Sequence, residues 1–294
     1  MASPDLTAWQ TLLRDGWVVV DAAAALGCPV AGLADATASP FDAAERLLGT
    51  TPLLVERQPI RPMEGARAFA GSREAAPLHT DSQMVLGVPA AVQALICLEA
   101  APRGGESVLV DGVQLLGWLD AHNPDLARAL FDTPRTQRFY FGDVSGPTLC
   151  LRGGSLTWTV APFAHDPIGR ALSAALDAAP RIVLRLRPGE ALLADNRRML
   201  HGRTAFEGPR ALLRLLVWTE RTPPPPHLAA RAQTLAAPLE TALSPAARVV
   251  LAMLRGVPPA RAARLAGVDE ATLYRWRDVF LQGGLAALEG AAPR

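Results

Sequence analysis

Residues 190–219 read EALLADNRRMLHGRTAFEGPRALLRLLVWT. Two apolar runs of strand length, Glu190–Asp195 and Ala211–Thr219, flank a polar segment that holds the turn Asn196-Arg197-Arg198 and one histidine, His201. Short apolar runs bounded by Gly, Pro and Asn read as strands. Side chains alternate along an extended chain, so Arg210, Leu212, Arg214, Leu216 and Trp218 share one face. Two guanidiniums aimed into an apolar interior are costly unless an anion meets them. A planar guanidinium takes a carboxylate through two parallel hydrogen bonds. An internal Asp or Glu is the other partner that would satisfy either arginine.

The same texture extends upstream. VQALICLEA, ESVLVDG, TQRFYFGDV, PTLCL, SLTWTV and RIVLRLR are short strand-like runs, interrupted by helical stretches at Leu115–Leu119, Asp125–Phe131 and Ile168–Ala178. Nearer the start, Leu6–Trp17 has helical spacing that Gly16 ends, Trp17–Val20 reads as a strand, and Phe41–Leu48 is amphipathic up to Gly49. Many short strands with few long helices predict a mainly β sandwich or jelly roll with helical inserts. The pattern alone also admits an α/β arrangement. Four prolines, Pro223–Pro226, then make a stiff break, and everything beyond reads helical. The expected organisation is a domain over 1–222, a Pro/Ala-rich linker over 223–243 and a small all-α domain over 244–294.

Composition narrows the class. At 294 residues, half hydrophobic and 19% charged, the chain suits a packed globule and not a disordered protein. A formal charge of +1 gives no global field toward nucleic acid or a membrane surface. All 29 basic residues are arginine, which fits the codon usage of a GC-rich genome. Cys28, Cys97 and Cys150 are odd in number, far apart and without a C-x-x-C pattern, so buried thiols in a reducing compartment are expected. With no signal-like N-terminus and no apolar run of spanning length, a cytoplasmic location is expected.

His79-Thr80-Asp81 carries the chemistry. In extended backbone, residues two apart project to one face, so an imidazole and a carboxylate can grip one metal ion. His201 is the best third ligand in the chain. Two histidines and one carboxylate leave three positions open, as in iron(II) oxygenases. An H-x-D triplet alone is weak evidence, since such triplets arise by chance in solvated loops.

PLHTDS (77–82), GGESVLVDG (104–112) and DNRRMLHGRTAF (195–206), followed by Arg210 and Arg214, resemble the taurine dioxygenase-like 2-oxoglutarate oxygenases over roughly residues 5–220. The wording is closest to the γ-butyrobetaine and trimethyllysine hydroxylase branch. The resemblance implies a double-stranded β-helix (jelly-roll) core with iron(II) held by His79, Asp81 and His201. It implies 2-oxoglutarate as co-substrate, its distal carboxylate held by Arg210 and by the Ser107 hydroxyl, with Arg214 a second arginine near the keto-acid end. Dioxygen is consumed, succinate and carbon dioxide are released, and a small-molecule substrate is oxidised. Related halogenases replace the carboxylate ligand with a small residue, so Asp81 implies hydroxylation or desaturation. The branch hints at an amino-acid-like or zwitterionic substrate.

Other residues are read more plainly. Arg203 is expected to orient the His201 loop, and Asp195 and Asn196 to brace the turn before it. His122, His165 and His227 match no ligand pattern and read as surface or capping histidines. Tyr140, Trp158 and Phe163 read as core before pocket lining.

ARAARLAGVDEATLYRW, within 260–276, has the cadence of a helix-turn-helix, with Gly267 at the turn and Asp269 as the second cap. It resembles the transposase-type helix-turn-helix and would present Thr272, Arg275 and Arg277 to a major groove. From Ser244 onward seven arginines face four acidic residues, a small excess for a DNA-binding module. Weak DNA binding, dimerisation and packing on the oxygenase therefore all stay open.

Overall fold

The computed structural model describes residues 7–66, 68–81, 89–139, 142–152, 155–163, 165–219, 246, 249–250 and 259–290. The helices are α1 (Ala8–Asp15), α2 (Ala22–Leu26), α3 (Leu33–Ala36), α4 (Pro40–Leu48), α5 (Gly112–His122), α6 (Pro124–Asp132), α7 (Pro167–Ala178), α8 (Pro259–Ala266) and α9 (Glu270–Gly290). Strands β1 (Trp17–Asp21), β2 (Leu54–Ile60), β3 (Ala76–His79), β4 (Val92–Glu99), β5 (Arg103–Gly104) and β6 (Ser107–Asp111) precede the helical insert. Within the insert lie β7 (Arg135–Phe139), β8 (Gly142–Gly146), β9 (Leu149–Arg152) and β10 (Ser155–Trp158). The chain returns through β11 (Ile182–Leu184), β12 (Glu190–Asp195), β13 (Met199–Arg203), β14 (Phe206–Glu207) and β15 (Ala211–Trp218).

Two antiparallel sheets form the centre, one in the order β1-β12-β4-β15-β2 and the other β11-β6-β13-β3. Their shared core is a cluster drawn from both sheets: Ile60, Cys97, Leu192, Ala194 and Leu212 from the first, Leu109 and Met199 from the second. Each outer face is covered in turn. Helices α1–α4 bury Leu12, Leu26, Leu33, Phe41 and Leu47 against alternate residues of the first sheet, among them Ala94, Ile96, Leu213, Leu215 and Val217. The insert buries Leu115, Leu119, Leu130, Trp158 and Leu172 against Val110 and Leu200 of the second. With both faces covered, β4, β12 and β15 are nearly continuous apolar runs, as covered strands must be. This is the mainly β, helix-inserted fold expected from the sequence.

The first helix is built as its sequence dictates. Thr7 and Gln10 form a reciprocal capping box, and Gly16 ends the helix in the left-handed region at φ 84°. His201 lies within a strand of its own, β13, which its neighbours Gly202 and Arg203 mask in the sequence.

The C-terminal helices follow helix-turn-helix order. Gly267 turns the chain at φ 65°, and Asp269 Oδ1 accepts from the Thr272 N–H at 2.7 Å. Val249, Val250, Ala262, Ala263 and Leu273 are buried in the same contiguous apolar cluster as α1–α4. No helix among the described residues is long and apolar enough to cross a membrane. The three cysteines are free, Cys97 and Cys150 buried and Cys28 half-buried.

Candidate metal centre

The register of the second sheet sets His201 of β13 directly opposite His79 of β3. A bulge follows at once between His201 and Arg203. Gly202 belongs there because a Cβ would sit 2.6 Å from the Ala76 carbonyl oxygen. Thr80 fixes the orientation of its two neighbours. Its hydroxyl donates to the Trp158 carbonyl at 3.2 Å and accepts from the Val160 N–H at 3.0 Å, and its own N–H meets the Val160 carbonyl at 3.1 Å. With Thr80 tied to the insert, His79 and Asp81 project the other way. Asn196, fully buried, accepts from the Asp81 N–H at 2.9 Å and donates to the carbonyls of Asp81 and Ala90 at 3.0 Å each. It therefore ties the ligand loop to the β12–β13 turn, while Asp195 braces that turn by accepting from the Arg197 N–H at 2.9 Å.

His79, Asp81 and His201 each offer a ligand atom, all within 4.8 Å of one another. His79 Nε2 is 3.5 Å from Asp81 Oδ1, and His201 Nε2 is 3.6 Å from Asp81 Oδ2. His79 Nδ1 lies 2.7 Å from the Pro77 carbonyl, which can only accept, so Nδ1 carries the proton and Nε2 presents its lone pair. His201 shows the same bias more weakly, with Nδ1 at 3.4 Å from the Met199 carbonyl. Burial pushes the His201 imidazole below its ordinary value, against the pull of Asp81. Burial would raise the Asp81 carboxyl, but the Arg214 guanidinium outweighs it and holds it well below the usual carboxylate range. Two imidazoles and an ionised carboxylate converging on one point are the donor set that suits a divalent iron ion.

Two glutamines, unremarked in the sequence, join this centre. Gln93 of β4 donates from Nε2 to Asp81 Oδ2 at 2.5 Å, and the same nitrogen is 3.0 Å from His201 Nε2. Its Oε1 is buried without a hydrogen-bond partner among the described residues. The available signal was a polar residue, Gln93, near the start of the apolar run VQALICLEA. Gln58 of β2 sits opposite Arg214 of β15 and accepts its NH2 hydrogen bond.

The two arginines separate. Arg214 donates from NH1 to Asp81 Oδ2 at 2.6 Å, so its partner is an internal carboxylate, and its Nε is buried without a partner among the described residues. Arg210 lies just before β15, is 8% exposed, and lines a small cavity with Ser107, Cys97, Gly105 and Leu212. Among the described residues no group accepts a hydrogen bond from its guanidinium. Burial lowers its pKa and pushes the neighbouring Cys97 thiol up to about 11. A buried guanidinium that shares a small cavity with Ser107 fits the binding of an anionic carboxylate.

Arg203 does not reach the triad. It donates to the carbonyls of Phe69, Ser72, Glu74 and Thr204, tying the 69–74 segment to β13. Trp158 is buried in the core, whereas Phe163 faces Phe69 and lines a cavity of about 330 Å³. That cavity contacts Leu78, Val108 and Gly202, which alternate with His79, Leu109 and His201, so it lies behind the ligand strands. His122 and His165 are exposed, and His122 stacks on Trp118. Tyr140 and His227 lie outside the described residues.

A jelly-roll pair of sheets with two histidines on paired strands, and an aspartate two residues beyond one of them, defines the class of iron- and 2-oxoglutarate-dependent oxygenases. Residues 52–216 match the model of the "Taurine catabolism dioxygenase TauD, TfdA family", and the chain belongs to that family. Residues 247–294 match a "Winged helix-turn helix" family model. Among solved structures, the fold is similar to an asparagine oxygenase in complex with Fe(II), 2S,3S-3-hydroxyasparagine and succinate. That match has 22% identity, a TM-score of 0.57, and covers 71% of this chain and 77% of the other. A second structure of asparagine oxygenase matches at 22% identity and a TM-score of 0.56, covering 71% of this chain and 76% of that one.

Proposed function

We propose that this enzyme is a 2-oxoglutarate- and dioxygen-dependent hydroxylase of a small amino-acid-like or zwitterionic metabolite, with iron(II) held by His79, Asp81 and His201. The observation that carries the reading is the triad, with Arg214 on its carboxylate and Arg210 buried in a separate small cavity with Ser107. Bound iron and 2-oxoglutarate supply the oxidising chemistry, with succinate and carbon dioxide released.

The chain's own residues do the rest. Arg210 and the Ser107 hydroxyl hold the distal carboxylate of 2-oxoglutarate, which fixes the keto-acid end toward the triad. Asp81, braced by Gln93 and Arg214, stays ionised and in one orientation. Arg214, with 18% of its side chain exposed, also places a positive charge beside the centre for a second carboxylate, that of a substrate. An anchor of this kind suits an amino acid or betaine better than a neutral substrate. The intact Asp81 favours hydroxylation or desaturation over halogenation, because the carboxylate fills the position a halide would need.

A screen of amino acids and betaines for substrate-stimulated succinate formation tests the substrate class. Stimulation by one of them, lost in Asp81→Ala, supports the reading; stimulation only by uncharged compounds would overturn the substrate class.

The family match over residues 247–294 favours a second reading, in which the C-terminal helices contact DNA and the oxygenase domain senses a ligand. Thr272 and Arg275 bond to each other, and Arg277 pairs with Asp278, so much of this basic surface is locally engaged. Retention on DNA at physiological salt discriminates the two readings.

A further inference from the structure

Two buried guanidiniums lie against one aromatic ring. The Arg203 carbon Cζ lies 4.7 Å from the centroid of the Phe206 ring and that of Arg210 lies 5.3 Å from it. Phe206 is 6% exposed, and Arg203 and Arg210 are 8% each. No described carboxylate pairs with either arginine. Burial, then the neighbouring Arg210 charge, lowers Arg203 to about 10. Two like charges this close in the interior need a compensating group on each side.

Arg203 has one: it is tied to the carbonyls of Phe69, Ser72, Glu74 and Thr204. The ring is fixed as well. Phe206 is opposite Gly104 in the β5–β14 pair, and its N–H meets the Arg73 carbonyl at 3.0 Å. Gly104 can take this place because a Cβ there would fall 2.0 Å from the Ala205 carbonyl oxygen. Arg210 alone in the set has no hydrogen-bond acceptor among the described residues. What it has is the π-face of Phe206, which attracts a cation with no hydrogen bond, so the N–H groups stay free for a carboxylate.

We infer that Phe206 is a positioning residue for co-substrate binding: its ring, pinned between Arg203 and the β5–β14 pair, holds the Arg210 guanidinium over the Ser107 cavity. This rests on the reading that Arg210 takes the distal carboxylate of 2-oxoglutarate. The ring stabilises the buried charge before the anion arrives and fixes its place, so that less ordering remains to be done on binding.

Calorimetric titration of the iron-loaded full-length chain under anaerobic conditions tests it, with 2-oxoglutarate and with 2-oxobutyrate, which lacks the distal carboxylate. Phe206→Met keeps apolar volume but removes the ring; Phe206→Tyr keeps the ring. Phe206→Met should weaken 2-oxoglutarate binding about 10- to 30-fold, the range of a desolvated cation–π contact. It should leave 2-oxobutyrate binding within about twofold, and Phe206→Tyr should stay within about threefold of the unmodified chain for both ligands. If Phe206→Met does not fold, Phe206→Leu replaces it with the same expectation. Equal losses for both keto acids, equal losses in Met and Tyr, or no loss in Met would each overturn the positioning role. Arg210→Ala in the same series tests the underlying reading. Unchanged 2-oxoglutarate binding there removes Arg210 from the site, whereas weakened binding there with an unaffected Phe206→Met removes only Phe206.

Discussion

Arg214 NH1 donates to Asp81 Oδ2 across 2.6 Å, so the carboxylate of the candidate metal centre has a cationic partner within the chain itself. Both side chains are largely buried, 18% and 11% exposed, and each compensates the charge of the other. A metal ion would meet a carboxylate that is ionised, oriented and shared.

Removing one partner of a buried pair leaves the other uncompensated, at a cost of about 3–5 kcal/mol. Arg214→Met should therefore lower the melting temperature of the metal-free protein. Iron(II) replaces part of the lost positive charge, so added iron should recover more of the melting temperature in this variant than in the unmodified chain. An equal iron-induced gain in both proteins would show that the arginine does not compensate Asp81.

Gln93 braces the same carboxylate from β4. Residues that orient metal ligands typically contribute about 10–100-fold to metal affinity. Gln93→Leu preserves bulk but donates nothing, and should weaken iron(II) binding within that range in a competition titration against a chelator. Unchanged affinity would reduce Gln93 to core packing.

Asp195 supplies a pH dependence. Burial raises its carboxyl from 3.8 to about 6, against the pull of Arg197 and Arg198. Between those values the folded state holds a proton that the unfolded state has lost, so this group makes stability fall as pH rises from about 4 to about 6. Above that window the cost is fully present. Asp195→Asn keeps the shape and the oxygen that accepts from the Arg197 N–H. Its melting temperature relative to the unmodified protein should thus be higher at pH 8 than at pH 5. A difference that does not grow between those two values contradicts the assignment.

The C-terminal helices share one apolar cluster with α1–α4 through Val249, Val250, Ala262, Ala263 and Leu273. We propose that they cover the outer face of the oxygenase domain. Truncation after Pro226 should expose that face and lower soluble yield and melting temperature, and Leu273→Asp should do the same in the full-length chain. A truncated protein that keeps its melting temperature and its iron binding would instead mark residues 244–294 as an autonomous module.

Much of this architecture was legible in the residues because covered strands leave plain apolar runs. VQALICLEA, ESVLVDG, EALLAD and ALLRLLVWT all fall on strands, and the helical inserts lie where their spacing put them. Convergence of His79, Asp81 and His201 was readable from an H-x-D step and one later histidine in familiar company. Register was not readable. It sets Arg214 opposite Gln58 on one side and Leu95 on the other, and its guanidinium on Asp81, a contact between residues 133 positions apart. Gln93 escaped for the same reason, since a polar residue in an apolar strand has meaning only once its neighbours across the sheets are known. Phe206 looked like part of a motif, and its place against two guanidiniums depends on the short β5–β14 pair.

The most direct test of the centre is an anaerobic iron(II) titration of the full-length chain, followed by visible absorbance on adding 2-oxoglutarate, in the unmodified protein and in His79→Ala and Asp81→Ala. The unmodified chain should bind one iron and develop a 2-oxoglutarate-dependent visible band, and both variants should lose the band while melting as folded proteins. Full iron binding with an unaltered band in either variant would contradict the triad.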